Sequence, residues 1–165
     1  MIERPSGKDE WYTPPWVFDL VDVQFGLDPC SPGAAVVPWI PATACMTKVD
    51  DGLEVEWPRW ASVWLNPPYG RGIGRWLDRF VAHGHGVALV PARTDTVWCH
   101  KHERELSALQ FLAGRVSFVD KDKREFGSPT FGSVLVSMGR EHRDVLEYAT
   151  VLNPNCGWLV KPMMG

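Results

Sequence analysis

Several things are scarce in this chain, and each scarcity removes a class of explanation. No apolar run approaches the ~20 residues needed to cross a bilayer, so a soluble protein with no membrane partner is expected. The four cysteines, Cys30, Cys45, Cys99 and Cys156, stand far apart with no paired spacing, and no signal peptide is expected before them. That excludes a disulfide framework and a Cys-x-x-Cys zinc site, and reads as reduced thiols in a cytoplasmic protein. The fragment Cys99-His100-Lys101-His102 carries ligand atoms but has no second cluster beside it, so no metal is expected. A positive surplus is also missing, since the formal net charge is −3 and the pI 5.9. A polyanionic partner must therefore be met by a local patch rather than by the field of the whole protein. Repeats, low-complexity tracts and linkers are absent as well. A length of 165 residues suits one domain over 1–165, its first ten residues polar and loose.

What is present is an alternation of short apolar runs and helical patterns. Trp16, Val17, Leu20, Val21 and Val23 follow Pro14-Pro15 and predict an amphipathic helix from Trp16 to Phe25, ended by Gly26. "FGLDPCSPG" reads as a short strand breaking into a turn, "AAVVPWIP" as a second extended piece, and residues 43–58 as mostly irregular around the turn "DDGL". "SVWLN" predicts a buried strand, 73–82 a helix with Ile73, Trp76, Leu77 and Phe80 on one face, and "GVALVP" the next strand. A helix over 96–106, strands at 108–114 and 133–139 that pair antiparallel, and a helix over 143–151 complete the pattern. Strands alternating with helices argue for an α/β fold, its sheet mostly parallel with one antiparallel strand near the C-terminus.

Ligands of such sheets sit beyond the carboxyl ends of the strands. Three strand ends are polar: "LDP", "LNPPY" and "LVPARTD". The second is the most informative. Pro67 and Pro68 cannot donate backbone hydrogen bonds and hold their predecessors extended, so Asn66 and Tyr69 leave the strand in fixed directions. An exocyclic amine is a poor nucleophile because its lone pair is delocalised into the adjacent π system. Hydrogen bonds accepted from both its N–H groups, by the Asn66 side chain and the Pro67 carbonyl, favour a pyramidal nitrogen with an aimed lone pair. Tyr69 can stack on the planar group. The alternative is a plain proline-rich exit turn with a packed tyrosine.

"NPPY" is the catalytic motif of amino-methyltransferases, and around it stand "DEWYTPPWVFD", "GLDPCSPG", "DDGL", "NPPYGRGIGRW", "LVPARTDTVW", and "FLAGRVSF" followed by "FGSVLV". In that order, over nearly the whole chain, they resemble the small phage-type DNA adenine-N6 methyltransferases. The resemblance implies a Rossmann-like seven-stranded methyltransferase sheet, S-adenosylmethionine as methyl donor, DNA as partner, and the cytoplasm of a bacterial host as the setting for a phage or prophage product. It gives Asn66, Pro67, Pro68 and Tyr69 the catalytic role. It puts the cofactor on Tyr12, Thr13 and Pro14, on Asp28, Pro29 and Cys30, and on Asp51 and Leu53, with Asn66 adjoining. The usual Gly-x-Gly turn is missing after Asp28, where Pro29 and Pro32 stand instead.

"GRGIG" lacks the Gly-Lys-Ser/Thr ending of a phosphate loop and reads as a hinge. Arg71, Arg75 and Arg79, spaced by four, would form one basic stripe on a helix. DNA contacts are expected from Arg71, Arg75, Arg93, Asp95 and Arg115, although Arg93 and Asp95 can equally pair with each other and the stripe can be a solvated face. Of the nine tryptophans, Trp11 and Trp98 flank the site segments. Two rival readings remain at this stage: a methyltransferase for another amine or amide, such as a protein glutamine or guanine N2 in RNA, and a non-catalytic phage nucleic-acid-binding module.

Overall fold

The computed structural model describes residues 11–125 and 129–162; the loose segment expected at 1–10 lies outside them. Eleven elements follow in the order α1 (Pro15–Val21), β1 (Phe25–Asp28), β2 (Ala42–Cys45), β3 (Val63–Leu65), α2 (Ile73–His83), β4 (Gly86–Pro91), α3 (Val97–Lys101), β5 (Ala108–Leu112), β6 (Ser133–Met138), α4 (Arg140–Leu152) and β7 (Gly157–Val160). The strands make one seven-stranded sheet in the order β2-β1-β3-β4-β6-β5-β7.

Strand side chains alternate between the two faces of this sheet. Val63, Leu65, Ala88 and Val90 pack with Ile73, Leu77 and Phe80 of α2 on one face. Trp64, Val87 and Leu89 pack with Val17, Phe18 and Val21 of α1 and Leu146 of α4 on the other. Both faces are covered, which explains why the central strands read as unbroken apolar runs.

The sheet is mixed, and this corrects the expectation of a mostly parallel sheet with one antiparallel strand. β2, β1, β3 and β4 pair in parallel, but β6 lies antiparallel between β4 and β5, and β7 is antiparallel to β5. Ser133–Met138 is buried along its whole length, so nothing in its composition marks its direction. β7 has four residues, too few for a readable alternation.

Other boundaries shift for local reasons. α1 stops at Val21 because Asp22 turns left-handed (φ 46°) and donates its N–H to Phe18 O at 2.8 Å, which frees Phe25 to begin β1. The expected second extended piece at 34–41 instead forms turns, and the strand falls at Ala42–Cys45, inside the stretch read as irregular. Register against β1 places it there, with Phe25 opposite Ala42 and Leu27 opposite Ala44. α3 spans five residues rather than eleven, since His102 at its end is drawn to Asp78 and Glu105. α4 is longer than expected, starting at Arg140 after Gly139.

The order β1-β3-β4, all parallel, sets the carboxyl ends of three neighbouring strands at one sheet edge. Asp28, Asn66 and Arg93 belong to those three ends.

Candidate active site

Leu65 pairs with Ala88, so Asn66 leaves the sheet where β4 still has three residues to run. Pro67 is buried and Pro68 exposed, which anchors the stiff exit on one side. The Asn66 amide is half-buried and makes no hydrogen bond among the described residues. Left unpartnered at a rigid strand end, it remains available to a ligand.

Tyr69, by contrast, is held on several sides. Its ring meets Phe118 at 5.8 Å and 81° and Phe131 at 5.7 Å and 62°, both edge-to-face, and its hydroxyl donates to Leu89 O at 3.4 Å. Burial pushes its phenol well above the ordinary tyrosine range, so the ring acts as a neutral aromatic plane. Phe131 is itself fixed through its neighbour, since Ala92 N donates to Gly132 O at 2.9 Å. Neither phenylalanine was singled out by the sequence pattern: both lie in loops, where no periodicity marks a side chain as facing a site. The order of "FLAGRVSF" and "FGSVLV" around the NPPY motif was the only available signal.

The segment Tyr12-Thr13-Pro14 reaches the same place through the loop after β5. Tyr12 and Val119 exchange two backbone hydrogen bonds of 3.0 Å, putting the segment beside Phe118 and hence Tyr69. Trp11 also touches Phe118, at 5.7 Å, whereas Trp98 packs into the core under α3. Trp39 donates its indole N–H to Thr13 O at 2.9 Å. Thr13 is wholly buried, yet its hydroxyl has no hydrogen-bond partner among the described residues. A buried hydroxyl without a hydrogen bond is costly unless a ligand completes it.

Asp28, at the end of β1, is 3% exposed. Its carboxylate accepts the Cys30 N–H at 3.0 Å. Burial pushes its pKa up to about 7, against the smaller opposing pull of hydrogen bonds from Cys30 N–H and the Ser31 side chain. The Cys30 thiol is likewise pushed up to about 12, by burial first and the neighbouring Asp28 charge second, so Cys30 is no nucleophile here.

Asp51, Gly52 and Leu53 come to this corner because Gly52 lies flat on Pro29: a Cβ at position 52 would fall 2.0 Å from Pro29 O. Trp57 Nε1–H donates to Gly52 O at 2.8 Å. Arg79 of α2 donates to Leu53 O at 2.6 Å and also to Val55 O, while its guanidinium lies over the Trp57 ring at 5.1 Å. Asp51 is exposed and caps its own turn, accepting Leu53 N–H at 3.2 Å.

This corrects the basic stripe. Arg71 precedes α2 rather than lying on it, Arg75 pairs with Glu54 at 3.2 Å, and Arg79 is spent on backbone carbonyls. Arg71, Arg93 and Arg115 are exposed and form no ion pair among the described residues, and Arg93 does not pair with the exposed Asp95. Nor are Cys99, His100 and His102 gathered into a cluster: His100 faces Glu103, and His102 bridges Asp78 at 2.6 Å and Glu105 at 2.9 Å.

A family model described as DNA N-6-adenine-methyltransferase (Dam) matches residues 3–155 of the 165. A search of curated proteins returns no match.

Proposed function

Because the chain belongs to the DNA N-6-adenine-methyltransferase (Dam) family, whose members methylate adenine at N6 in DNA, we propose that this reaction runs on Asn66, Pro67, Pro68 and Tyr69 in a single catalytic domain, with S-adenosylmethionine as the methyl donor. The observation that carries this reading is the Asn66 side chain, half-buried and unpartnered at the end of β3 while Tyr69 beside it is fixed by Phe118 and Phe131.

An adenine inside a duplex cannot bring N6 to such a recessed strand end, so the base leaves the stack. Its ring lies against Tyr69, and the Asn66 side-chain oxygen and Pro67 carbonyl accept its two N6–H bonds. Those bonds draw the nitrogen toward a pyramidal form and aim its lone pair, so positioning provides most of the acceleration. No side chain need remove a proton first: once N6 is cationic, its spare proton leaves to water.

S-adenosylmethionine, when bound, supplies an electrophilic methyl group. Two features fit a ligand bearing an ammonium and hydroxyls: the orphaned Thr13 hydroxyl and the buried Asp28 carboxyl, which has no cationic partner among the described residues. Tyr12, Pro14, Pro29, Cys30, Asp51 and Leu53 would line the same corner. Titration calorimetry with S-adenosylmethionine at pH 8 tests the assignment. The wild-type protein is expected to bind, Asn66→Ala to bind equally, and Asp28→Ala to bind at least about tenfold more weakly, as loss of a charged hydrogen-bond partner dictates. A wild-type protein that does not bind, or an Asp28→Ala variant that binds as well, would overturn it.

A further inference from the structure

At the opposite edge of the sheet, two histidines and a glutamate meet without any part in the proposed chemistry. His85 immediately precedes β4, whereas Asn66 stands level with Leu89, so this cluster lies roughly 13 Å along the strands from the catalytic residue. His85 is fixed by its carbonyl, which accepts Val63 N–H at 3.0 Å. Gly139 (φ 84°) then brings the start of α4 against it: a Cβ at 139 would fall 3.2 Å from Gly84 O and 3.5 Å from the His85 ring. Glu141 and His142 follow directly on the first turn of α4.

The geometry that results is compact. His85 Nε2 lies 3.2 Å from a Glu141 carboxylate oxygen, the His85 and His142 rings meet at 4.6 Å and 77°, and one ligand atom from each of the three residues falls within 4.8 Å of the others. His142 is 1% exposed and stacked on Phe25 at 6.2 Å; although the Met138 backbone lies within reach of its ring, its Nδ1 has no well-aligned hydrogen-bond partner among the described residues. A buried imidazole nitrogen without a well-formed hydrogen bond is costly, and a metal ion satisfies it as well as a hydrogen bond does.

We propose that His85, Glu141 and His142 form a binding site for a divalent transition metal of the zinc class, clipping the start of β4 to the start of α4. Two imidazoles and one carboxylate are a donor set suited to zinc, with water completing four-coordination. Ligand atoms about 2.1 Å from a tetrahedral ion stand roughly 3.4 Å apart, close to the His85–Glu141 separation. The ion would brace the fold, and no step of methyl transfer involves it.

Cobalt(II) is the probe, because in a tetrahedral site it absorbs strongly in the visible. The full-length protein is freed of metal with a chelator, dialysed and titrated with cobalt(II) chloride. A one-equivalent tetrahedral band is expected, displaced by zinc, together with a melting temperature that rises with added zinc. His85→Ala and Glu141→Gln, both at partly or fully exposed positions that the core does not need, should lose the band. Cys99→Ser and His100→Ala should keep it. His142→Ala is not relied upon, since removing a buried ring can unfold the chain. Absence of a band in the wild-type protein, its survival in His85→Ala, or its loss in Cys99→Ser would overturn the proposal.

Discussion

The rings of Tyr69 and Phe118 stand at 81° to each other with centroids 5.8 Å apart, so the plane on which a base can stack is set by a residue 49 positions further along the chain. Edge-to-face pairs of this kind contribute about 0.5–1.5 kcal/mol beyond their burial. Tyr69→Phe gives up only the long hydrogen bond to Leu89 O and should keep most methylation activity, whereas Tyr69→Ala should lose ten-fold or more, about the 1.4 kcal/mol of one stacked base. Phe118→Ala should fall between them, because the Tyr69 ring remains but is no longer held. Steady-state methylation rates at saturating cofactor would settle the order.

Gly52→Ala is expected to act on the cofactor corner alone. Its Cβ would overlap Pro29 O at 2.0 Å, so the turn carrying Asp51 and Leu53 must move off the end of β1. Affinity for S-adenosylmethionine should fall at least about tenfold, while the salt dependence of DNA binding stays the same. Arg79→Ala, which removes the donors to Leu53 O and Val55 O, should give the same pattern. Calorimetry and DNA titrations on both variants provide the check.

Asp28 supplies a pH dependence with a definite sign. Its folded pKa of about 7 lies above the ordinary 3.8, so between those values the folded state holds a proton that the unfolded chain has released. Its contribution to stability is therefore full below pH 4 and lost as pH rises through 7, by up to about 4 kcal/mol. Denaturant titrations from pH 4 to 8 should show the wild-type protein losing stability relative to Asp28→Asn over that window. A ligand with an ammonium group favours the carboxylate, so S-adenosylmethionine affinity should fall as pH drops from 8 to 6, and this fall should vanish in Asp28→Asn.

On the proposed function, DNA is gripped by arginines that have no ion-pair partner among the described residues. Each phosphate contact steepens the decline of affinity with salt by about 0.9 log unit per log unit. Replacing Arg71 and Arg93 together by Ala should flatten that slope by about 1.8 without changing cofactor affinity. Arg75→Ala should flatten it less, because Arg75 already shares its charge with Glu54. Filter-binding or anisotropy titrations across a salt series measure the slopes directly.

The parts legible in the sequence were those whose side-chain period had room to show itself. Ile73, Trp76, Leu77 and Phe80 mark one face of α2, and "GVALVP" is β4 from end to end. β2 was invisible because Ala42–Cys45 has its two middle residues exposed and owes its strand conformation to pairing with β1. The NPPY strand end was legible because prolines restrict the backbone whatever surrounds them. Phe118, Phe131 and the His85 cluster were not, since each depends on contacts between segments far apart in the chain. The arginine stripe failed for a similar reason: spacing by four ignores that Arg71 stands before the helix and that backbone carbonyls claim Arg79.

The most direct measurement uses S-adenosylmethionine carrying a deuterated methyl group. Unmethylated DNA of mixed sequence is incubated with the wild-type protein and with Asn66→Ala, digested to nucleosides and read by mass spectrometry. The label is expected in N6-methyladenine with the wild-type protein, and to accumulate on the order of 10²-fold more slowly with Asn66→Ala although that variant binds the cofactor normally. Label on another base, or an Asn66→Ala variant that methylates at the wild-type rate, would contradict the account.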